Sequence, residues 1–352
     1  MATSLEVRGL TVELPTPAGW VRPVNDVSFT LGEGETLGIV GESGSGKTML
    51  SLALMGLEPH GARHSGEAWL NSRGGVGSGD GNGNGGNGSS ASGAQTGAQS
   101  GGRAARENLL EISQNKLREL RGREIAMIFQ EPMTALNPVL RIGAQIEEAI
   151  RVHEPRAGDS EIHRRALEAL ERAALSDPAR RARQYPHQLS GGLRQRVMIA
   201  MALAAGPGVL IADEPTTALD VTVQKQILEL LAKLRRELRL SMLFITHDLG
   251  VVAQVAGRVA VMYAGRIVEE GPVEEVLRAP RHPYTEGLLR AAPRLTREKL
   301  VPIPGAVPSL DALPPGCAFA PRCPHRVAEC DAAMPELRAV NKNHAARCIL
   351  VR

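Results

Sequence analysis

The sequence predicts an α/β fold built around a parallel sheet, and three observations predict it. Four short apolar runs, at 36–40, 125–129, 209–212 and 241–246, have the length and β-branched content of buried parallel strands. Stretches with helical spacing separate them. Each run also ends in glycine or polar residues: a glycine-rich loop after Val40, then Gln130, then Asp213 and Glu214, then His247 and Asp248. Strand C-termini share one edge in an open parallel sheet, so one crevice can gather all of these groups.

A chain of 352 residues holds roughly two domains at about 150 residues each, with ample core. A net charge of +3 is too small for the basic field that sequence-independent nucleic-acid binding needs, and 3% aromatic residues leave little to stack on bases. No nucleic-acid partner is expected. The longest uncharged apolar stretch, Val197 to Ala212, is shorter than the ~20 residues that span a bilayer and is broken by Gly-Pro-Gly. The N-terminus, MATSLEVRGL, lacks the apolar run of a signal peptide, which places the chain in the cytoplasm, with any membrane role exerted through a partner.

Following the chain, the run TLGIV leads into GESGSGKT, Gly41 to Thr48, which fits G-x-x-x-x-G-K-[ST] in the strand context that makes this pattern a phosphate loop. Gly41, Glu42, Ser43, Gly44, Ser45 and Gly46 would turn their amides toward phosphate oxygens, and the helix begun at Gly46 aims its positive end at the same anion. Lys47 would contact the β and γ phosphates, and Thr48 would offer a hydroxyl to Mg²⁺. Residues 71–102 hold 13 of the 38 glycines and no large apolar side chain except Val76, so they are expected to form a flexible insertion. Periodic sequence resumes with LLEISQNKLRELRG.

After IAMIF and Gln130 the spacing becomes helical, with Ile142, Ile146, Ala149 and Ile150 on one face and Ile162, Ala166, Leu167 and Leu170 on another. A helical subdomain over about residues 131–188 is expected. LSGGLRQR then opens a helix at Ser190, Gly191 and Gly192, whose free amides make a second anion site. VLIADEP sets two adjacent carboxylates at a strand end: Asp213 to hold Mg²⁺ through its water shell, and Glu214 to accept a proton from an attacking water. From about residue 279 a proline-rich segment follows that contains all four cysteines. The chain therefore divides into a nucleotide-binding domain, 1–278, and a C-terminal extension, 279–352.

These motifs, in this order, resemble the nucleotide-binding subunit of an ATP-binding cassette (ABC) transporter: GESGSGKT as Walker A, Gln130 as the Q-loop residue, LSGGLRQR through Gln195 as signature, LIADEP as Walker B, ALD ending at Asp220, and His247. The resemblance implies the ABC-type fold, a mixed sheet core with antiparallel β and helical subdomains. It implies that two cassettes pair head to tail, so that Ser190 and the Gly191 and Gly192 amides meet the γ-phosphate held by the partner. It also implies that Gln130 senses Mg²⁺ and the γ-phosphate, that His247 holds the γ-phosphate and the attacking water, and that Asp220 couples the two sites. Trp20 stands about two positions from the usual place of the adenine-stacking aromatic. A soluble ABC protein of translation or DNA repair would show tandem cassettes or a long coiled-coil insertion, and the chain has no internal repeat.

FQEPMTALNPVLRIGAQI, HPYTEGLL and IPGAVPSLDALPPGCAFAPRCPHRVAEC narrow the resemblance to the oligopeptide/dipeptide importer subfamily. That implies a second, related ATPase chain, two integral-membrane permease subunits and an extracytoplasmic solute-binding protein. The chain would sit peripherally on the cytoplasmic face of the inner membrane, with residues from Met133 to Leu140 near the permease. Peptides are the implied solute, with glutathione, nickel complexes and glycosides as alternatives. Leu193 and the glycine-rich insertion depart from the subfamily pattern.

Cys317, Cys323, Cys330 and Cys348 cluster at the end of a chain placed in the cytosol, which suggests metal or cluster ligation over disulfides. Four thiolates suit a [4Fe-4S] cluster or tetrahedral Zn²⁺, with His325 and His344 close by, and unligated packing is the third reading. The resemblance favours the [4Fe-4S] cluster.

Overall fold

The computed structural model of the protein describes residues 2–72, 106–291 and 302–351. The first two strands, β1 (Thr3–Thr16) and β2 (Gly19–Gly32), form a long antiparallel hairpin. The run TLGIV is β3 (Thr36–Val40), buried along its whole length, and it feeds helix α1 (Lys47–Leu54). Strand β4 (Arg63–Asn71) pairs with β1, and β5 (Arg106–Asn108) pairs with β4, completing a four-stranded antiparallel sheet in the order β2-β1-β4-β5. The expected glycine-rich insertion lies outside the described residues from 73 to 105. Its two flanks are side by side, because Asn71 lies opposite Arg106 in the β4–β5 ladder.

Helix α2 (Gln114–Leu120), capped by the Ser113 hydroxyl, leads to β6 (Ile125–Ile128). The strand stops one residue short of the apolar run, and Phe129 is 38% exposed. Four helices follow: α3 (Pro132–Ala135), α4 (Ile142–Arg151), α5 (Asp159–Arg172) and α6 (Pro178–Ala182). Ile142, Ile146 and Ile150 face Ile162, Ala166 and Leu170 in one buried cluster, as the spacing of the apolar residues requires. Helix α7 (Gly191–Leu203) precedes β7 (Val209–Asp213), α8 (Val221–Leu238) precedes β8 (Ser241–Thr246), and α9 (Leu249–Val255) precedes β9 (Arg258–Tyr263). Asp220 and Asp248 cap α8 and α9, accepting from the amides of Val223 (2.9 Å) and Gly250 (2.7 Å).

The chain then doubles back as β10 (Arg266–Pro272) and continues through α10 (Val273–Arg278) and α11 (Pro283–Ala291). Two short strands, β11 (Arg338–Ala339) and β12 (Ala345–Ala346), end the fold. The second sheet has eight strands in the order β11-β12-β10-β9-β3-β8-β7-β6, and the five from β9 to the β6 edge run parallel. One apolar core lies between the two sheets and another between the large sheet and the helices. Strands β3, β6, β7 and β8 therefore end on a common edge, as their endings in sequence anticipate.

Candidate functional site

From Val40 the chain enters the loop 41–46, and Lys47 opens α1. Two glycines here are dictated by space. A Cβ at Gly41 would stand 2.1 Å from the Met262 carbonyl oxygen, and one at Gly46 would stand 1.8 Å from that of Pro23. Gly46 also adopts a φ of +100°, which side chains resist. The loop is thus pressed against β2 and the end of β9. Lys47 is 5% exposed, and its ammonium donates to the carbonyls of Gly41 (2.8 Å) and Glu42 (3.0 Å) and to the Ser45 hydroxyl (3.3 Å). Burial draws its pKa below the ordinary lysine value, and the charges of Glu214, Asp213 and Glu42 offset part of that. Ser45 is buried, while Ser43, Gly44 and Thr48 are exposed.

Asp213 closes β7 at 1% exposure, and both its carboxylate oxygens lack a hydrogen-bond partner among the described residues. Desolvation pushes its pKa up to about 6, with the Thr48 hydroxyl and the Lys47 charge pulling the other way. A buried carboxylate without donors, beside a threonine hydroxyl, is a donor set that suits Mg²⁺. Glu214 takes a φ of +45°, in the left-handed region, and is held there by its amide bond to the Ile245 carbonyl (2.9 Å). Its Oε2 accepts from the Thr217 hydroxyl (2.6 Å) and the Gln130 amide (3.4 Å), and His247 Nδ1 lies 3.2 Å from the same atom. The phosphate loop, Gln130, Asp213, Glu214 and His247 are therefore brought together at one edge.

The signature residues form a second group. Ser190 precedes α7 and is exposed, with no capping bond from its hydroxyl, so the helix amides behind it stay open. Gly191 faces Leu219, and a Cβ at Gly192 would stand 2.6 Å from Val223. Gln195 is 2% exposed, and its Nε2 has no partner among the described residues. Asp220 serves as the cap of α8 described above. Trp20 stands near the tip of the β1–β2 hairpin at 43% exposure, with the Arg63 guanidinium 4.0 Å from its ring centroid.

The four cysteines carry free thiols, and all four line one small apolar cavity with Phe319, His282 and Leu350. Burial pushes the pKa values of Cys317, Cys323 and Cys348 up, which favours neutral thiols. Among the described residues no group of three or more His, Cys, Asp or Glu is arranged to hold a metal ion, so the cluster expectation gains no support from that quarter.

Three contributors escape sequence reasoning. Thr217 anchors Glu214, the Tyr284 hydroxyl accepts from the Glu42 amide (2.8 Å), and Arg322 forks onto the Glu42 carboxylate (2.7 and 3.0 Å). Only Thr217, close behind the DEP triplet, leaves a local signal.

The geometry agrees with comparisons to known proteins. The profile of the ABC transporter family matches residues 24–78 and 91–217, and that of the oligopeptide/dipeptide transporter C-terminal region matches 268–330. A Brucella melitensis protein named as a peptide import ATP-binding protein is 49% identical over 98% of this chain and 96% of its own. One of the same description from Brucella ovis is 50% identical over the same shares. Among solved structures, the dimeric ATP-binding cassette MJ0796 bound to ADP and Pi in a post-hydrolysis state is 27% identical, with a TM-score of 0.59 over 76% of this chain and 98% of that one. The cbiO1 protein of Clostridium perfringens, part of the transporter complex cbiONQ, shares the fold at 24% identity and a TM-score of 0.58, over 79% of this chain and 92% of that one.

Proposed function

The chain belongs to the ABC transporter family, and on that premise we propose how it works as the ATP-hydrolysing subunit that energises peptide import. The observation that carries the reading is the shared strand edge, which sets Lys47, Asp213, Gln130, Glu214 and His247 around one crevice. Lys47 already sits among loop carbonyls and needs only to exchange them for phosphate oxygens. The amides of the loop and the start of α1 take the remaining phosphate charge. Thr48, Asp213 and Gln130 would hold Mg²⁺, which would supply positive charge against the phosphates.

Glu214 is the base. Gln130 and Thr217 fix its Oε2, and His247 at the same oxygen orients the attacking water and contacts the γ-phosphate. The water oxygen bonds to the γ-phosphorus as the bond to the β–γ bridging oxygen breaks, ADP leaves with that oxygen, and the water proton passes to the Glu214 carboxylate. Ser190, Gly191 and Gly192, with Gln195 behind them, close on the nucleotide of a partner ATPase chain, and Asp220 links the two sites through α8. Trp20 stacks on adenine once Arg63 yields its face.

No helix among the described residues is long and apolar enough to cross a membrane, so attachment to the membrane comes through two permease subunits, fed by a solute-binding protein outside. Val139, 75% exposed, and Leu140, 39% exposed, give that contact an apolar surface near the Q-loop. Cys317, Cys323, Cys330 and Cys348 would be the ligands of the [4Fe-4S] cluster that the family resemblance implies; they line one small cavity, and a bound cluster's charge would have to draw thiols that burial keeps neutral to thiolates. Iron and sulfide assay of anaerobically purified protein, with substoichiometric iron as the adverse result, checks it.

The decisive experiment is Glu214→Gln in the assembled transporter. Binding of ATP is retained and hydrolysis falls by about a hundredfold or more, the range of a lost general base. Turnover at the unmodified rate would place the base elsewhere.

A further inference from the structure

The phosphate loop that is to receive a polyanion carries an acidic residue of its own. Glu42 is the only charged side chain in the loop besides Lys47, and the two carboxylates at the end of β7 add negative charge nearby. Left alone, it would repel the triphosphate and compete for Lys47. It is not left alone. Arg322, from the short helical turn at Ala320–Arg322 in the C-terminal lobe, meets both carboxylate oxygens fork to fork.

That arginine is fixed on every side. Its Nε donates to the Pro304 carbonyl (3.0 Å), its Nη1 also reaches the Tyr263 hydroxyl (3.4 Å), and its side chain is only 4% exposed. Phe319, Tyr263 and Tyr284 pack into one aromatic cluster beside it, and Tyr284 receives the Glu42 amide. The turn lies between Cys317 and Cys323, and Phe319 borders the cysteine cavity. A fork whose arginine is buried this well, contributed from 280 residues away, does more than fasten a loop that β2 and β9 already brace.

We propose that Arg322 is a positioning residue of the ATP site: it cancels the Glu42 charge and so frees Lys47 for phosphate, which makes the affinity for ATP depend on the thiol-bearing lobe. The inference rests on the ATP-site reading above and deepens it.

The test is Mg-ATP titration by calorimetry on the full chain, in a Glu214→Gln background that prevents turnover, at low and high salt. Arg322→Gln weakens binding about tenfold at low salt and less at high salt, because an uncompensated charge is screened. Glu42→Gln alone binds at least as tightly as the parent, and Glu42→Gln with Arg322→Gln together restores parental affinity. A mere strut predicts the opposite, with the double variant as weak as Arg322→Gln and no salt dependence. That result overturns the proposal, as does parental affinity in Arg322→Gln.

If Arg322→Gln does not fold, Glu42→Gln and the double variant still decide, since weaker binding in either sinks the idea. Lys47→Ala separates the two layers. If it binds ATP normally, the ATP-site reading falls and this inference falls with it. If it abolishes binding while Arg322→Gln changes nothing, only this inference falls.

Discussion

Asp213, proposed above as a Mg²⁺ ligand, combines that role with a cost to stability. Its pKa of about 6 lies above the ordinary 3.8, so between these values the folded chain holds a proton that the unfolded chain has released. The stability this gives is full below the ordinary value and is lost as pH rises through about 6; by neutral pH the buried charge costs at most about 3 kcal/mol. Asp213→Asn is therefore expected to raise the denaturation midpoint of the nucleotide-free chain at about pH 8, with a gain that shrinks toward about pH 4, measured by urea unfolding across that range. The same titration predicts that Mg²⁺ affinity declines below about pH 6, readable by calorimetry with the metal. At this scale the candidate site was legible where its residues sit in a motif: Lys47, Asp213 and Glu214, read from theirs, do converge on one strand edge. Tyr284 and Arg322 reach the loop across 242 and 280 residues, and no spacing in the sequence marks such a pairing.

Among the elements, the buried parallel strands were readable because both their faces are covered, which makes β3, β7 and β8 continuous apolar runs. The β1–β2 hairpin escapes the same reading. Its ladder shifts register four times, so the period-two alternation that would announce it is broken. Strands β11 and β12, two residues each, are too short to carry any pattern. The β4–β5 pair gives a prediction about what lies between its strands. Because Asn71 and Arg106 are already neighbours, a short connection is enough to close this hairpin, and each residue removed from it lowers the cost of closure. Deleting 74–101 should stabilise the chain by about 1 kcal/mol and leave ATP turnover unchanged; a loss of turnover would reveal a contact made by the deleted stretch.

Taken whole, the molecule extends its large sheet with two short strands of the C-terminal extension. Ala345 and Ala346 pair with Glu270 and Glu269, and Arg347 donates to the carbonyls of Ile267 (3.0 Å) and Pro335 (3.1 Å). Glu269, fully buried, gathers the amides of Arg281 (2.7 Å) and His282 (2.9 Å), with His344 Nε2 at 2.7 Å. Ending the chain at residue 336 strips His344 from that carboxylate and bares the edge of β10. A loss of about 3 kcal/mol or more in denaturant unfolding is expected, and an unchanged midpoint would show that the extension folds apart from the sheet.

The long reach between Glu42 and Arg322 also sets a clock. The phosphate loop emerges early in synthesis, yet the arginine that answers its acidic residue is made 280 residues later, a delay on the order of tens of seconds at the usual pace of translation. If Arg322 neutralises Glu42 as proposed, a nascent chain carries the loop with its acidic residue unanswered until residue 322 has been made.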